Sequence, residues 1–377
     1  RQSAATENCV TSKASPFFLH LQLPIILPVK PFMWMGDSLQ NENKLMKALV
    51  YTGTNEVTYR EEPTPEPAAG EAKIRIEAVG ICGSDMHAYH GEDARRIPPL
   101  ILGHEAAGVV ISGKHMGRHV VLNPLICCGS CFDCRSGRSN LCADRKLIGM
   151  NFPGAFAEYI IIQERNLIFI PEGMNPVHAA LTEPAATSLH AVHLAERVLH
   201  SPVSEGRALV IGGGSVGLLA ALILRSHGCE EILLCDTNSL RRETVFNTGC
   251  CEVFDPEHEP FKLVNRFELV IDAVGMETTR RMAIRAVRSG GVLMHIGLQQ
   301  SAGDCDFRKI TLAEITVIGS YTYTHTDLEA ALKTLHSGAL GDLSWIEERP
   351  LSEGAAAFSD LNDGFSAASK IVLQPLL

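Results

Sequence analysis

The pattern of apolar and polar positions along the chain changes at about residue 187. Before that point, from Met46, short alternating segments such as "KIRIEAVG", "AAGVVIS" and "FAEYIII" are separated by glycine and proline. Alternation with a period of two predicts half-buried strands, and turn residues at short intervals favour an antiparallel β domain. Beyond that point, buried strands such as "ALVIG" alternate with helical patterns of ten or more residues. This second pattern predicts an α/β domain with a doubly wound parallel sheet.

These patterns predict two domains preceded by an extension. The β-rich domain is expected over residues 46–187, and the doubly wound domain over 188–325. Residues 326–377 contain two helical patterns and a last strand, "KIVLQ", which most simply return to the first domain. Residues 1–45 are expected to be dispensable. Their apolar stretch "PFFLHLQLPIILPVKPFMWM" is interrupted by prolines, so it suits no membrane helix, and it lacks the order of a signal peptide.

Composition and charge narrow the possible partners. The chain has 377 residues, is 46% hydrophobic and carries a formal net charge of −10. Because its basic residues form no long run that would bind a phosphate backbone, nucleic acid is not an expected partner. A membrane is not an expected partner either. Outside one cluster the cysteines stand singly or as an adjacent pair in apolar surroundings, which indicates reduced thiols and a cytoplasmic location.

A glycine motif follows the strand "ALVI" directly. The motif has the form GxGxxG and consists of Gly212, Gly214 and Gly217 with Ser215 and Val216 between them. Such glycines allow a tight turn and a close approach of the backbone to a pyrophosphate at a helix N-terminus.

An acidic residue follows this motif at the distance that a dinucleotide site requires. Asp236 ends the next strand, 19 residues beyond Gly217, where a carboxylate accepts hydrogen bonds from ribose hydroxyls and repels a 2′-phosphate. The sequence therefore predicts NAD rather than NADP as the cofactor. Arg241 and Arg242 follow closely, and they either soften this preference or are the solvated first turn of a helix.

Five of the twelve cysteines lie in "CCGSCFDCRSGRSNLC". Four of them have the spacing CxxCxxCx7C, and these are Cys128, Cys131, Cys134 and Cys142. Four thiolates on a glycine-containing loop close a tetrahedral zinc site with no open position, so this zinc is expected to be structural. Cys127 is spare. Two disulfides or an iron–sulfur cluster are the alternatives, and a reducing compartment disfavours the disulfides.

A second constellation lies upstream and downstream of that loop. "GICGSD" gives Cys82, "GHEAAG" gives His104 and Glu105, and "LTEPAATS" gives Glu183. Cysteine, histidine and carboxylate ligands hold zinc with a position left for water or substrate, as catalysis requires.

In their order along the chain these motifs resemble those of the zinc-dependent medium-chain alcohol and polyol dehydrogenases. The resemblance implies a GroES-like catalytic domain, a Rossmann NAD domain, two zinc ions per chain and a homodimer or homotetramer. It also implies that Cys82 and His104 bind the catalytic zinc, with Glu105 or Glu183 completing the set directly or through water. The glutamate of "EP" resembles the sorbitol and threonine dehydrogenase branch.

The expected activity is NAD-linked oxidation of a secondary alcohol or polyol, or reduction of the matching ketone. Ser84 is expected to accept the alcohol proton and His87 to pass it on through the cofactor ribose. Sorbitol is disfavoured, because Thr322 stands before Tyr323 where sorbitol-type members tend to carry arginine. Alternatives are a threonine- or sugar-phosphate-type dehydrogenase, a zinc-free quinone-reductase-like enzyme, and a non-catalytic NAD-binding sensor with a structural zinc lobe.

Overall fold

A computed structural model describes residues 44–377, so the predicted extension lies, apart from its last two residues, outside the described part. Within that part the strands are β1 (Leu45–Gly53), β2 (Glu56–Pro63), β3 (Glu71–Gly80), β4 (Leu100–Ile101), β5 (Glu105–Ser112), β6 (His119–Leu122), β7 (Leu125–Ile126), β8 (Lys146–Leu147), β9 (Tyr159–Gln163), β10 (Leu167–Phe169), β11 (Arg207–Ile211), β12 (Glu231–Cys235), β13 (Glu252–Phe254), β14 (Phe267–Asp272), β15 (Val287–His295), β16 (Thr316–Gly319), β17 (Ile346–Pro350) and β18 (Lys370–Gln374). The helices are α1 (Gly83–Tyr89), α2 (Phe132–Arg135), α3 (Pro176–Ala180), α4 (Thr182–Glu196), α5 (Ser215–Ser226), α6 (Ser239–Asn247), α7 (Glu277–Ala286), α8 (Phe307–Leu312), α9 (His325–His336) and α10 (Gly354–Asn362).

Six strands form the parallel sheet that the alternating pattern predicts. Their order is β13-β12-β11-β14-β15-β16, and every neighbouring pair is parallel. The order starts in the middle and moves outward in both directions, so the predicted doubly wound sheet is confirmed. Helices α5 and α6 end before glycines with φ of +88° (Gly228) and +65° (Gly249), a backbone region that glycine enters without steric cost.

The β-rich part contains a larger, mostly antiparallel sheet. Its strand order is β10-β6-β5-β3-β18-β17, with β9 also paired to β3. The last strand, β18, lies beside β3 with Val372 opposite Gly80. Strand β17 was not predicted, because "IEERP" shows no apolar alternation; it pairs in parallel with β18.

Helix α4 links the two sheets. Its alanine-rich sequence buries eleven of fifteen residues, and it packs against α5 and α9 in the largest apolar cluster of the described chain. Small side chains let neighbouring elements approach closely, which fixes the start of α4 in the interior. None of the helices in residues 44–377 is long and apolar enough to cross a membrane.

Candidate active site and metal centres

Cys82, His104 and Glu105 meet where β3 and β5 lie side by side. Cys82 caps α1, which begins just after β3, and Glu105 is the first residue of β5, opposite Gly80. One ligand atom from each of the three residues lies within 4.8 Å of the others. A thiol, an imidazole and a carboxylate at this spacing are a donor set that suits zinc.

Asp85 holds two of these groups in place from the third position of α1. Its carboxylate is fully buried, accepts the Cys82 backbone N–H at 3.0 Å, and lies 3.5 Å from His104 Nδ1. Burial alone would raise the pKa of Asp85, but the facing His104, and then Arg96, lower it below its usual value. A carboxylate on the second ring nitrogen fixes the orientation of a ligating histidine.

Glu105 forms a buried ion pair with Lys370, a partner that the motifs did not indicate. Both side chains are 1% exposed, and Lys370 Nζ donates to the two carboxylate oxygens at 2.9 and 2.7 Å and to the Ile81 carbonyl at 2.7 Å. Burial would lower the pKa of Lys370, but Glu105 and Cys82 raise it. A Cβ on Gly80 would stand 2.2 Å from Glu105 Oε2, so glycine there leaves room for this carboxylate.

Glu183 lies outside the group of three but close enough to interact with it. It stands at the buried start of α4, where burial, and also Glu105, raises its pKa to about 7 although His104 lowers it. The buried Tyr323 lies beside it, and burial together with Glu183 raises the pKa of the Tyr323 hydroxyl. The sequence left open whether Glu105 or Glu183 completes the ligands of the catalytic zinc. In the structure Glu105 is the one grouped with Cys82 and His104.

Ser84 and His87 share one face of α1, three residues apart. Ser84 Oγ lies 3.4 Å from His104 Nε2 and accepts a hydrogen bond from Arg96 Nη2 at 3.2 Å. The partly exposed His87 ring places Nδ1 3.2 Å from Glu92 Oε2. Ser84 thus stands against the three-residue group and His87 nearer to solvent. Arg96, which is almost fully buried, is a second neighbour of the site that the sequence did not reveal.

The four cysteines of the predicted lobe converge around α2. The sulfurs of Cys128, Cys131, Cys134 and Cys142 lie within 4.8 Å of one another. Cys131 N–H donates to the Cys128 sulfur at 3.3 Å, and backbone N–H groups lower the pKa of Cys128 to about 6. The thiolate state that zinc requires is thus favoured at Cys128, whereas burial and then Cys131 raise the pKa of Cys134 to about 12. Cys127 is turned aside, donating to the Ser139 carbonyl at 3.1 Å, and its pKa is raised by burial to about 11.

The glycine motif forms the turn between β11 and α5. Gly212 has φ of +103°, and a Cβ on Gly217 would stand 1.8 Å from the Gly212 carbonyl oxygen, so both positions need glycine. Gly214 caps α5, and Ser215 and Val216 begin it. Asp236 was expected to end the strand but directly follows β12, and it lies beside this turn, accepting Gly213 N–H at 2.7 Å. Arg241, in the first turn of α6, is half-buried, whereas Arg242 donates to the Asp236 carbonyl at 2.8 Å. A turn of this form suits a dinucleotide.

Comparison with known proteins identifies the family. Residues 68–172 match the alcohol dehydrogenase GroES-like domain, and residues 215–337 match the zinc-binding dehydrogenase family. Sorbitol dehydrogenase of Halalkalibacterium halodurans is 31% identical over 351 residues, covering 88% of this chain and all of the relative. L-galactonate-5-dehydrogenase of Escherichia coli is 32% identical over 311 residues, covering 78% of this chain and 88% of the relative. The chain belongs to the zinc-dependent medium-chain alcohol dehydrogenase family.

Solved structures of other medium-chain dehydrogenases have the same architecture. A putative zinc-binding dehydrogenase from Sinorhizobium meliloti bound to NADP gives a TM-score of 0.79 at 27% identity, covering 88% of this chain and all of that one. Galactitol-1-phosphate dehydrogenase from Escherichia coli gives 0.77 at 26% identity with the same coverage. The predicted GroES-like and Rossmann fold class is confirmed. This medium-chain dehydrogenase is a zinc-dependent, NAD(P)-linked oxidoreductase acting on an alcohol or polyol.

Proposed function

We propose that Cys82, His104 and Glu105 hold the catalytic zinc of this dehydrogenase, with Glu183 beside them, while Cys128, Cys131, Cys134 and Cys142 hold a structural zinc. The observation that carries this proposal is the group of a partly exposed thiol, a buried imidazole and a buried carboxylate, with Ser84 against it. Bound at these residues, a zinc ion supplies Lewis-acid polarisation of the alcohol oxygen, and a nicotinamide dinucleotide supplies the hydride acceptor.

The chain's own residues then move the proton. Ser84 Oγ would accept the hydroxyl proton of a secondary alcohol on the lone pair that Arg96 leaves free and would release its own hydroxyl proton towards His87. His87, one helical turn further on and partly exposed, would take up the proton that Ser84 releases and pass it to solvent. Asp85 keeps the His104 ring in its orientation meanwhile.

Activity and metal content test this assignment together. We expect two zinc equivalents per chain and NADH production on a panel of secondary alcohols and polyols. Ser84→Ala is expected to reduce kcat by about 10²–10⁴-fold, the range that positioned proton transfer contributes, with normal zinc content and NAD affinity. His87→Ala is the matched variant, with a milder loss that added imidazole partly restores. Full activity of Ser84→Ala, with hydride transfer rate-limiting, would remove Ser84 from the relay.

NAD is the proposed preferred cofactor. The Asp236 carboxylate, beside the glycine turn, would meet a 2′-phosphate with like charge, whereas Arg241 is near enough in sequence to soften this effect. Asp236→Ser is expected to narrow or invert the ratio of kcat/KM for NAD over NADP. Equal use of both cofactors by the unmodified enzyme would contradict the preference.

We propose further that residues 46–187 together with 326–377 form the catalytic domain and that 188–325 form the NAD domain. The pairing of β18 with β3 supports this division, as does the confinement of the parallel sheet to β11–β16.

A homodimer or homotetramer is proposed because the edge strand β16 and its neighbourhood expose large apolar side chains, including Leu298, Phe307, Leu312 and Val317. Sedimentation velocity would determine the oligomeric state.

A cytoplasmic location is proposed because the described cysteines are all free.

A further inference from the structure

Three arginines lie near the proposed catalytic site or near Tyr321, and only Arg96 contacts a residue of the site directly. Arg96 is buried and connects directly to it, donating from Nη2 to Ser84 Oγ at 3.2 Å and from Nε to the Gly149 carbonyl at 3.0 Å. Arg95, the preceding residue, is different, since 65% of its side chain is exposed. The two guanidinium groups share one carboxylate, Asp93, which pairs with Arg95 Nε at 2.8 Å and with Arg96 Nη1 at 2.5 Å.

The third arginine comes from another part of the chain and meets Arg95 at Tyr321. Arg145 places its guanidinium carbon 4.7 Å from the centre of the Tyr321 ring and donates to the Cys142 carbonyl at 2.9 Å. Arg95 lies near the same tyrosine: its pKa is raised first by its hydrogen bonds to Asp93 and further by Tyr321. Asn140 Nδ2 donates to the Tyr321 carbonyl at 2.9 Å and so anchors this loop.

Tyr321 lies where a ligand is expected. It follows β16 by two residues, at the carboxyl end of the parallel strands, and ligands of doubly wound sheets bind outside that edge. The same loop carries Tyr323, which stands beside Glu183. Arg95 and Arg145 therefore flank a loop that leads from the sheet edge to the proposed zinc site.

The charge of this region is opposite to that of the whole chain. Within the described residues, Arg95 and Arg96 share the single carboxylate of Asp93, Asp85 also interacts with Arg96, and Arg145 forms no ion pair, so the three arginines outnumber the carboxylates that interact with them. The whole chain carries −10. A neutral polyol accepts only hydrogen bonds from guanidinium groups, whereas a carboxylate or phosphate also balances their charge, here at Arg145 and at the N–H groups that Arg95 does not donate to Asp93.

We propose that the substrate is a polyol bearing an anionic group, a carboxylate or a phosphate, which Arg95 and Arg145 bind beside Tyr321 while its reacting hydroxyl lies at Ser84. This inference rests on the proposed dehydrogenase function and names its substrate class. Arg96 is a positioning residue: it sets Ser84 on one side and Asp93 on the other, and Asp93 in turn orients Arg95.

The test uses three compounds with one carbon skeleton: a hexitol, its monophosphate and the corresponding hexonate. With the zinc-loaded full chain and NAD, kcat/KM is expected to be at least about 10²-fold higher for one of the anionic compounds than for the hexitol, and the better one identifies the group. Arg95→Gln and Arg145→Gln are each expected to reduce this ratio about 10–100-fold, mainly through KM, as lost charge-assisted hydrogen bonds would. Arg118→Gln is the matched control, since Arg118 also stacks on an aromatic ring, that of Phe169.

Binding separates failure of this inference from failure of the proposed function. Calorimetry with the zinc- and NADH-loaded protein measures the affinity of the same three compounds whether or not they are oxidised. Preference for the hexitol, or an anion preference that both arginine variants leave unchanged, would overturn the inference while leaving the dehydrogenase intact. Absence of turnover on every alcohol, with anion binding still dependent on Arg95 and Arg145, would overturn the proposed function instead.

Discussion

The two proposed metal sites differ in how their charge is balanced. The four-cysteine lobe lies nearer the surface, where three of its cysteines are partly exposed and backbone N–H groups donate to the sulfurs. At the site of Cys82, His104 and Glu105 the thiol is partly exposed, but the imidazole and the carboxylate are buried, with His104 4% and Glu105 1% exposed. There the carboxylate is paired with Lys370 and the imidazole with Asp85. A buried charge needs a partner within the protein, whereas an exposed one is stabilised by solvent.

This difference implies separate roles. Four thiolates fill a tetrahedral zinc, so the lobe can stabilise structure but offers no place for substrate. The buried site has fewer protein ligands, a second glutamate nearby and a hydroxyl against it, so it can accept substrate. Changes at the buried site should reduce catalysis or leave a charge uncompensated, and changes in the lobe should reduce zinc content and stability.

The largest expected effect comes from His104→Ala. Removing this ligand should reduce kcat/KM at least about 10³-fold, because Lewis-acid catalysis contributes several kcal/mol and each 1.36 kcal/mol is tenfold in rate. Zinc content should decrease by about one equivalent. Steady-state kinetics and elemental analysis measure both, with His119→Ala, an exposed histidine of the same sheet, as the control. Normal activity of His104→Ala would show that the group of Cys82, His104 and Glu105 is not catalytic, and the difference in role between the two sites would then be wrong.

Lys370→Met should have the next largest effect. It leaves the Glu105 carboxylate buried without its partner, and breaking a buried ion pair on one side costs about 3–5 kcal/mol of unfolding free energy. Urea denaturation measures the loss. The double variant Lys370→Met with Glu105→Gln should recover part of it, since no buried charge then remains. A loss below about 1 kcal/mol for the single variant would mean that this pair resembles a surface one.

Cys131→Ser should separate the lobe from catalysis. We expect the loss of about one zinc equivalent and of about 2 kcal/mol of stability, with the activity of the remaining folded protein little changed. Elemental analysis and thermal unfolding provide the measurements. Cys127→Ser is the matched control, because the Cys127 sulfur donates a hydrogen bond to the Ser139 carbonyl and lies outside the group of four sulfurs. Two zinc equivalents in Cys131→Ser would show that the lobe is not a metal site.

The smallest expected effect sharpens the contrast between interior and surface. Arg138 and Asp133 form an ion pair in the lobe at 2.8 Å, with side chains 52% and 32% exposed. Arg138→Ala should therefore change the unfolding free energy by no more than about 1 kcal/mol, the range for exposed pairs. The same urea titrations used for Lys370→Met provide the comparison. A loss as large as that of Lys370→Met would remove the distinction.

The sequence was sufficient where a feature is local. Cysteine spacing predicted the lobe, and glycine spacing predicted the turn between β11 and α5, because each motif closes on itself within a few residues. The motifs and the family resemblance grouped Cys82 and His104 with either Glu105 or Glu183, and they could not choose between the glutamates because the position of Glu105 depends on the register of β3 against β5.

Features that depend on distant pairing were beyond the sequence. Lys370 is the first residue of the predicted strand "KIVLQ", yet nothing in that segment indicates that it lies beside β3, with Lys370 next to Glu105, 265 residues away along the chain. In the sequence, Arg96 is one of two adjacent basic residues in a loop. In the structure it is buried because its Nε donates a hydrogen bond to the Gly149 carbonyl, 53 residues away along the chain. Strand β17 was missed because its charged residues show no alternation.

The residue before Lys370 connects the metal-binding side of the molecule to the cofactor side. Ser369 Oγ donates to the Gly213 carbonyl at 2.9 Å, inside the glycine turn, while Lys370 holds Glu105. Two consecutive residues at the start of β18 thus span both sites through buried contacts. Binding equilibria that share such a connection obey reciprocity: whatever factor zinc contributes to the affinity for the dinucleotide, the dinucleotide contributes equally to the affinity for zinc. Ser369→Ala therefore provides a way to measure that shared factor from either side.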